Sequence, residues 1–134
     1  MYGNLGYQHP ELKSGYFFHP LVIENITKDQ PAYHEELFGP VFSLFRFHDD
    51  IDAIELSNAT SYGLSASIFS QDLAKAHKRA LMLECGSVFI NEIVASDTGI
   101  PGGGVKDSGY GRECFSDGLH ETINRKAIVV GSGK

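Results

Sequence analysis

The 134 residues are 42% hydrophobic and 21% charged, with nine Phe, six Tyr and a formal net charge of -6. That apolar content excludes a fibrous repeat or a disordered tail, and the length suits one domain that buries about two thirds of its unfolded surface. Eleven Lys and Arg scattered along an acidic chain do not form the basic patch that neutralises phosphates, so no nucleic-acid partner is expected.

Met1 to Gly6 lacks both the basic and the apolar region of a secretory signal, and no apolar stretch approaches the ~20 residues that cross a bilayer. A cytoplasmic location without a membrane partner is therefore expected. Residues 1–14 mix Gly, Pro, His and charges without a period and read as a loop or ragged leading edge. From Gly15 the pattern changes: Tyr16 to Phe18 and Leu21 to Ile26 are short β-rich apolar runs, closed by a turn from Thr27 to Pro31. After Pro40, Val41 to Phe47 has Ser43 and Arg46 as its only polar positions, which predicts a strand buried on both faces.

Asp49 or Asp50 then offers a helix N-cap, and Ile51, Ala53, Ile54 and Leu56 form an apolar stripe that stops near Gly63. Leu64 to Phe69 reads as a strand. Ser70 or Asp72 caps a second helix carrying Leu73, Ala76, Ala80 and Leu83, for which Gly86 suits the left-handed position after the C-terminus. Val88 to Ile90 is the next strand. This alternation predicts an α/β fold, a partial parallel sheet with crossover helices. Residues 95–118, with seven glycines and Pro101, read as a long ordered loop, and Ala127 to Val130 as a last strand without a slot in the same sheet. A partner subunit is one place for it.

The residues yield little chemistry by themselves. Gly102-Gly103-Gly104-Val105-Lys106 lacks phosphate-loop spacing, and the run from Gly109 to Cys114 misses the dinucleotide fingerprint at its last position. Six histidines show no metal-ligand spacing, so no metal is expected. Two cysteines are too few for a disulfide scaffold. Cys114 has Arg112 nearby but no implied His and reads as inert; Cys85, placed at a helix C-terminus, is a poorer nucleophile still. No Gly-x-Ser-x-Gly elbow marks a serine nucleophile. One stretch is posed for binding. Glu35-Glu36-Leu37-Phe38-Gly39-Pro40 sets two carboxylates and a ring just before a strand. Glu36 there can accept from vicinal hydroxyls and Phe38 can lie against a flat ring, or the same residues make a solvated acidic turn with Phe38 as a core anchor.

Four segments in order, Glu36 to Val41, Asn58 to Ala66, Gly86 to Asn91 and Gly103 to Glu113, together resemble the C-terminal part of the aldehyde dehydrogenase superfamily. The resemblance runs from about Gly15 to Val130. Ile90-Asn91-Glu92 with the run from Val105 to Glu113 is most similar to succinate-semialdehyde dehydrogenases. It implies NAD- or NADP-linked oxidation of an aldehyde to an acid through a cysteine thiohemiacetal. The positions matching Glu36 and Phe38 bind the nicotinamide ribose and pack beside the nicotinamide in that family. Ser96 falls in the loop lining the substrate mouth, and Gly102 stands where Pro-Phe-Gly-Gly is usual, which removes a wall of the aldehyde pocket.

The resemblance places the family's dinucleotide-binding domain, catalytic cysteine, general base and oxyanion asparagine upstream of Met1, so no catalytic residue is expected here. Residues 15–118 then form part of a catalytic domain and 119–134 an oligomerisation strand and tail. The chain is expected to be an inactive fragment alone, to hold no cofactor by itself, and to form a homo-oligomer, a strand-paired dimer, or to join the missing N-terminal portion. The other reading is a stand-alone interaction module without enzymatic activity.

Overall fold

A computed structural model describes residues 15–133. The chain divides into two compact units, residues 1–60 and 61–134.

In the first unit, β1 (Leu21–Glu24) pairs in parallel with β2 (Val41–Leu44), with Leu21 opposite Val41 and Glu24 opposite Leu44. Parallel neighbours need a long connection. Here it runs from Asn25 to Pro40 and holds α1 (Pro31–His34), which Pro31 starts with its preset φ. The turn before α1 is closed twice: Gln30 N–H donates to the Thr27 carbonyl at 3.0 Å and the Gln30 Oε1 accepts from Thr27 N–H at 3.0 Å. Leu21 is buried, and Tyr33 meets Phe45 edge-on with ring centres 5.6 Å apart. α2 (Asp50–Asn58) starts at Asp49, whose Oδ1 accepts from Ile51 and Asp52 N–H at 2.9 and 3.0 Å. It ends at Ala59, well before Gly63, and buries Ile54 alone.

The two-sided burial expected for β2 is not found. Val41 is half-buried, whereas Phe42 and Leu44 are exposed. A continuous apolar run suits a strand with a layer on each face, and the first unit supplies no second layer among its described residues.

In the second unit, β4 (Ser65–Ile68) pairs in parallel with β5 (Ser87–Ile90) in full register, Ser65 opposite Ser87 and Ile68 opposite Ile90. The connection carries α3 (Leu73–Ala80), capped by Asp72 through a 2.9 Å bond from Lys75 N–H and buried at Ala76. Against the single parallel sheet read from sequence, a short antiparallel pair also forms, β3 (Tyr62–Gly63) with β6 (Val105–Lys106). Ser108 Oγ accepts from Gly63 N–H at 2.9 Å, and Lys106 is ion-paired to Glu84 at 2.6 Å. The expected loop 95–118 is thus ordered, but it holds β6 and runs into α4 (Phe115–Glu121). Gly118 in the middle of α4 hides the helix from propensity, yet a Cβ there would stand 2.9 Å from the Glu113 carbonyl carbon.

Two further expectations are corrected. α3 ends at Ala80 with Leu81 as its right-handed cap, so Gly86 is not its terminator. Gly86 is required for another reason: a Cβ would collide with the Gly103 carbonyl oxygen. Cys85 likewise lies beyond the helix end rather than at it. Burial pushes its thiol pKa up, against the opposing influence of the Ser87 backbone and the Lys106 ammonium. No strand forms at Ala127 to Val130 among the described residues, and Ile128, Val129 and Val130 are exposed. A ladder needs an edge, and none meets this tail.

Gly86→Ala should destabilise the second unit by about 1 to 3 kcal/mol, whereas Gly39→Ala, which has open space around it, should be within about 0.5 kcal/mol of neutral. Urea unfolding of both variants checks this; equal losses would contradict the close packing. For Cys85, the folded chain keeps a proton that the unfolded chain has already released between the ordinary and the raised thiol value, so stability falls as pH rises through that window. Peptide-resolved iodoacetamide labelling should give Cys85 a pH–rate midpoint above that of the denatured chain, and coincident midpoints would refute the burial effect.

Candidate functional site

The residues singled out in the sequence lie in two places, one in each unit. The first is the turn between α1 and β2. Glu35 ends α1 with its N–H on the Pro31 carbonyl at 2.8 Å. At the far end, Val41 N–H donates to the Gly39 carbonyl at 2.8 Å and Leu21 N–H to the Pro40 carbonyl at 2.9 Å, which stitches the turn to β1. Between these anchors Leu37 is half-buried, while Glu36 is exposed and Phe38 is 96% exposed. Phe38 therefore anchors no core in this unit; Leu37 is the neighbour that turns inward. A bare ring two residues from a solvated carboxylate suits a planar group attached to a vicinal diol.

The second place is a cavity of about 210 Å³, whose wall includes Leu64, Phe89, Ser96, Gly102, Glu113 and Cys114. Ser96 and Gly102, six positions apart on a loop, thus line one space. The loop after β5 is folded at its tip by Asp97, whose Oδ1 accepts from Gly99 N–H at 2.7 Å. Thr98 then accepts from Phe115 N–H at 3.2 Å. Gly102 and Glu113 exchange both backbone bonds, at 2.9 and 2.8 Å. A Cβ on Gly102 would lie 3.3 Å from Glu113 Cγ, so any larger residue there must press on Glu113 or fill the cavity. Cys114 and Phe115 follow in left-handed conformations, φ 62° and 48°, and turn the chain into α4.

The charge on the wall has one sign. Asp97 and Glu113 contribute carboxylates, Ser65, Ser87 and Ser96 hydroxyls, and among the described residues no Lys, Arg or His lines the cavity. Arg112 does not reach toward the Cys114 thiol as an activating cation: its Nη1 donates to the Gly104 and Gly111 carbonyls at 3.0 and 2.6 Å. The three-glycine segment, which lacked phosphate-loop spacing, is thereby packed against protein. Among the described residues no three His, Cys, Asp or Glu side chains converge to hold a metal ion. Sequence reasoning missed Glu113 and Cys114 as wall residues, because the Gly102–Glu113 pairing spans a stretch without a period; the run from Gly109 to Glu113 was its only signal.

Known proteins match the chain over most of its length. The chain is 46% identical to the NADP+-dependent succinate-semialdehyde dehydrogenase of Deinococcus radiodurans over 92% of its own length and 26% of that protein's. It is 44% identical to a succinate semialdehyde dehydrogenase of Escherichia coli described as using NAD(P)+, over 86% of this chain and 25% of the other. Among solved structures, the succinic semialdehyde dehydrogenase of Streptococcus pyogenes with NADP+ superposes with a TM-score of 0.87 at 38% identity, over 96% of this chain and 28% of that one. The betaine aldehyde dehydrogenase of Staphylococcus aureus with NAD+ gives 0.82 at 40% identity, over 86% and 23%. The chain thus spans about a quarter of the length of the relatives it matches. With the aldehyde dehydrogenase family matched across residues 2–128, the chain belongs to that family.

Proposed function

We propose that the chain is the carboxy-terminal segment of an NAD(P)-dependent succinate-semialdehyde dehydrogenase, which oxidises the aldehyde to the carboxylic acid, and that it is inactive by itself. The observation that supports this most is the similarity, along nearly its whole length, to relatives named for that substrate. NAD or NADP supplies the hydride acceptor when bound. Glu36, solvated in the turn that leads into β2, accepts from the two ribose hydroxyls, and the uncovered ring of Phe38 lies beside the nicotinamide. Ser96 offers a hydroxyl to the substrate at the cavity mouth, and Gly102 keeps that mouth wide. This wall offers the substrate's carboxylate the hydroxyls of Ser65, Ser87 and Ser96 beside the like charges of Asp97 and Glu113, so the cation that holds that carboxylate is assigned to the rest of the enzyme. We assign the nucleophile to no residue of this chain: burial keeps Cys85 protonated and Arg112 is engaged elsewhere. Alone, half of a cofactor site holds no cofactor. The reading implies a cytoplasmic, reducing setting in which Cys85 and Cys114 stay free thiols.

A specific observation favours a second reading, an interaction module. Phe42, Phe47 and the segment from Ile128 to Val130 present apolar surface to solvent. Such surface and unpaired strand edges seek a partner, and a strand-paired homodimer or the remainder of the enzyme would cover them.

In the full-length enzyme, Glu36→Gln keeps the shape but loses charge-assisted bonds worth roughly 1.5 to 3 kcal/mol each, so hydride transfer should slow by about tenfold or more with the fold intact. Kinetics with varied cofactor check this, and unchanged turnover and cofactor dependence would remove Glu36 from the site. The pure 134-residue chain should give no aldehyde-dependent NAD(P)H; production that Cys114→Ala abolishes would overturn the reading. Sedimentation of the same chain should show self-association that grows across micromolar concentrations, and a strict monomer would count against the interaction surface.

A further inference from the structure

The loop from Glu92 to Pro101 supplies much of the cavity wall and has no strand or helix of its own, so its course depends on where it is tied. Its far end is held by the Phe115 bond to Thr98 and by the paired Gly102 and Glu113. Its near end is held by Asn91. The first residue after β5, Asn91 takes φ 57° and so turns the chain sharply out of the strand. Its own N–H donates to the Ile68 carbonyl at 2.8 Å, which continues the ladder to β4. The carboxamide then closes on the main chain of Ser70: Oδ1 accepts from Ser70 N–H and Nδ2 donates to the Ser70 carbonyl, both at 2.8 Å. It behaves as a peptide group would, clasping the loop to the corner between β4 and α3.

We infer that Asn91 is a positioning residue for the aldehyde mouth, its carboxamide clasp on Ser70 setting where Ser96 stands; this rests on the reading of Ser96 and Gly102 as the mouth. Left-handed backbone alone would explain an Asn at this position, and then Gly, which adopts φ 57° freely, would serve as well. The clasp needs more than conformation. Only a side chain with a donor and an acceptor in one plane meets both Ser70 groups. Asp keeps the acceptor but sets a carboxylate oxygen against the Ser70 carbonyl. Asn91→Gly therefore removes the clasp and keeps the turn, and Asn91→Asp breaks half of it.

Two measurements test the inference. In the 134-residue chain, amide exchange of Ser70 and Phe115 followed by NMR should accelerate about tenfold or more in Asn91→Gly, while β1 and β2 amides are unchanged. Unchanged exchange at Ser70 would show that the clasp holds nothing and would overturn the inference. In the full-length enzyme, both variants should raise KM for succinate semialdehyde about tenfold, with kcat and the cofactor KM within about twofold. Faster exchange with an unchanged aldehyde KM would overturn the positioning role and leave a structural clasp. An enzyme with native Asn91 that oxidises no aldehyde would instead overturn the mouth reading itself, and the positioning role with it.

Discussion

The second unit is organised around a point where two main chains come closer than any side chain permits. Gly86, at the entry to β5, donates its N–H to the carbonyls of Gly63 and Leu64 at 3.1 and 3.0 Å, while its Cα faces the Gly103 carbonyl oxygen with no room for a Cβ. Gly103 in turn has φ 141°, and a Cβ on it would stand 2.9 Å from the Gly111 carbonyl. Strand β3, strand β5 and the glycine segment are thus pinned together by backbone alone. The β3–β6 pair, the Gly102–Glu113 pair and the cavity beside them all follow from that approach. Had any of these positions carried a side chain, the segment would have to stand off from the sheet.

The cavity is what remains where the anchored chain does stand off. The loop from Glu92 to Pro101 is tied at its ends and bulges between them, and Cys114 and Phe115 hold left-handed backbone to carry the wall into α4. Residues in such conformations persist only where neighbours over-determine them, and here the bonds of Phe115 to Thr98 and of Gly118 to Cys114 do so. The other candidate place is built on opposite terms. The turn bearing Glu36 and Phe38 is fixed at both ends, yet these two side chains are exposed to solvent.

How much of this was legible depended on the range of the forces involved. The caps at Asp49 and Asp72 act over three residues and are visible in a string of letters; so are the apolar runs that became β1, β2, β4 and β5. What eluded reading was non-local or masked. β3 and β6 are two residues each and pair across more than forty positions, and α4 carries a glycine at its centre for packing reasons. Gly86 was legible as special but not for the right reason, since a helix terminator and a close contact ask for the same residue. Glu36 and Phe38 stood out by their chemistry within one turn and then by resemblance, Ser96 and Gly102 by resemblance alone, and their exposure or cavity placement came from the structure.

Arg112 offers a consequence of a different kind. Its guanidinium is bonded to two neutral main-chain carbonyls, in contrast to Lys106, which is bonded to the carboxylate of Glu84. A carbonyl carries no net charge, so the contact has no ion pair for salt to screen. The lysine pair, by contrast, joins two opposite charges, and salt screens it because Glu84 is exposed. The glycine segment is therefore fastened by one tie that ionic strength barely touches and one that it weakens, and high salt would slacken the β6 edge while the Arg112 corner keeps its grip.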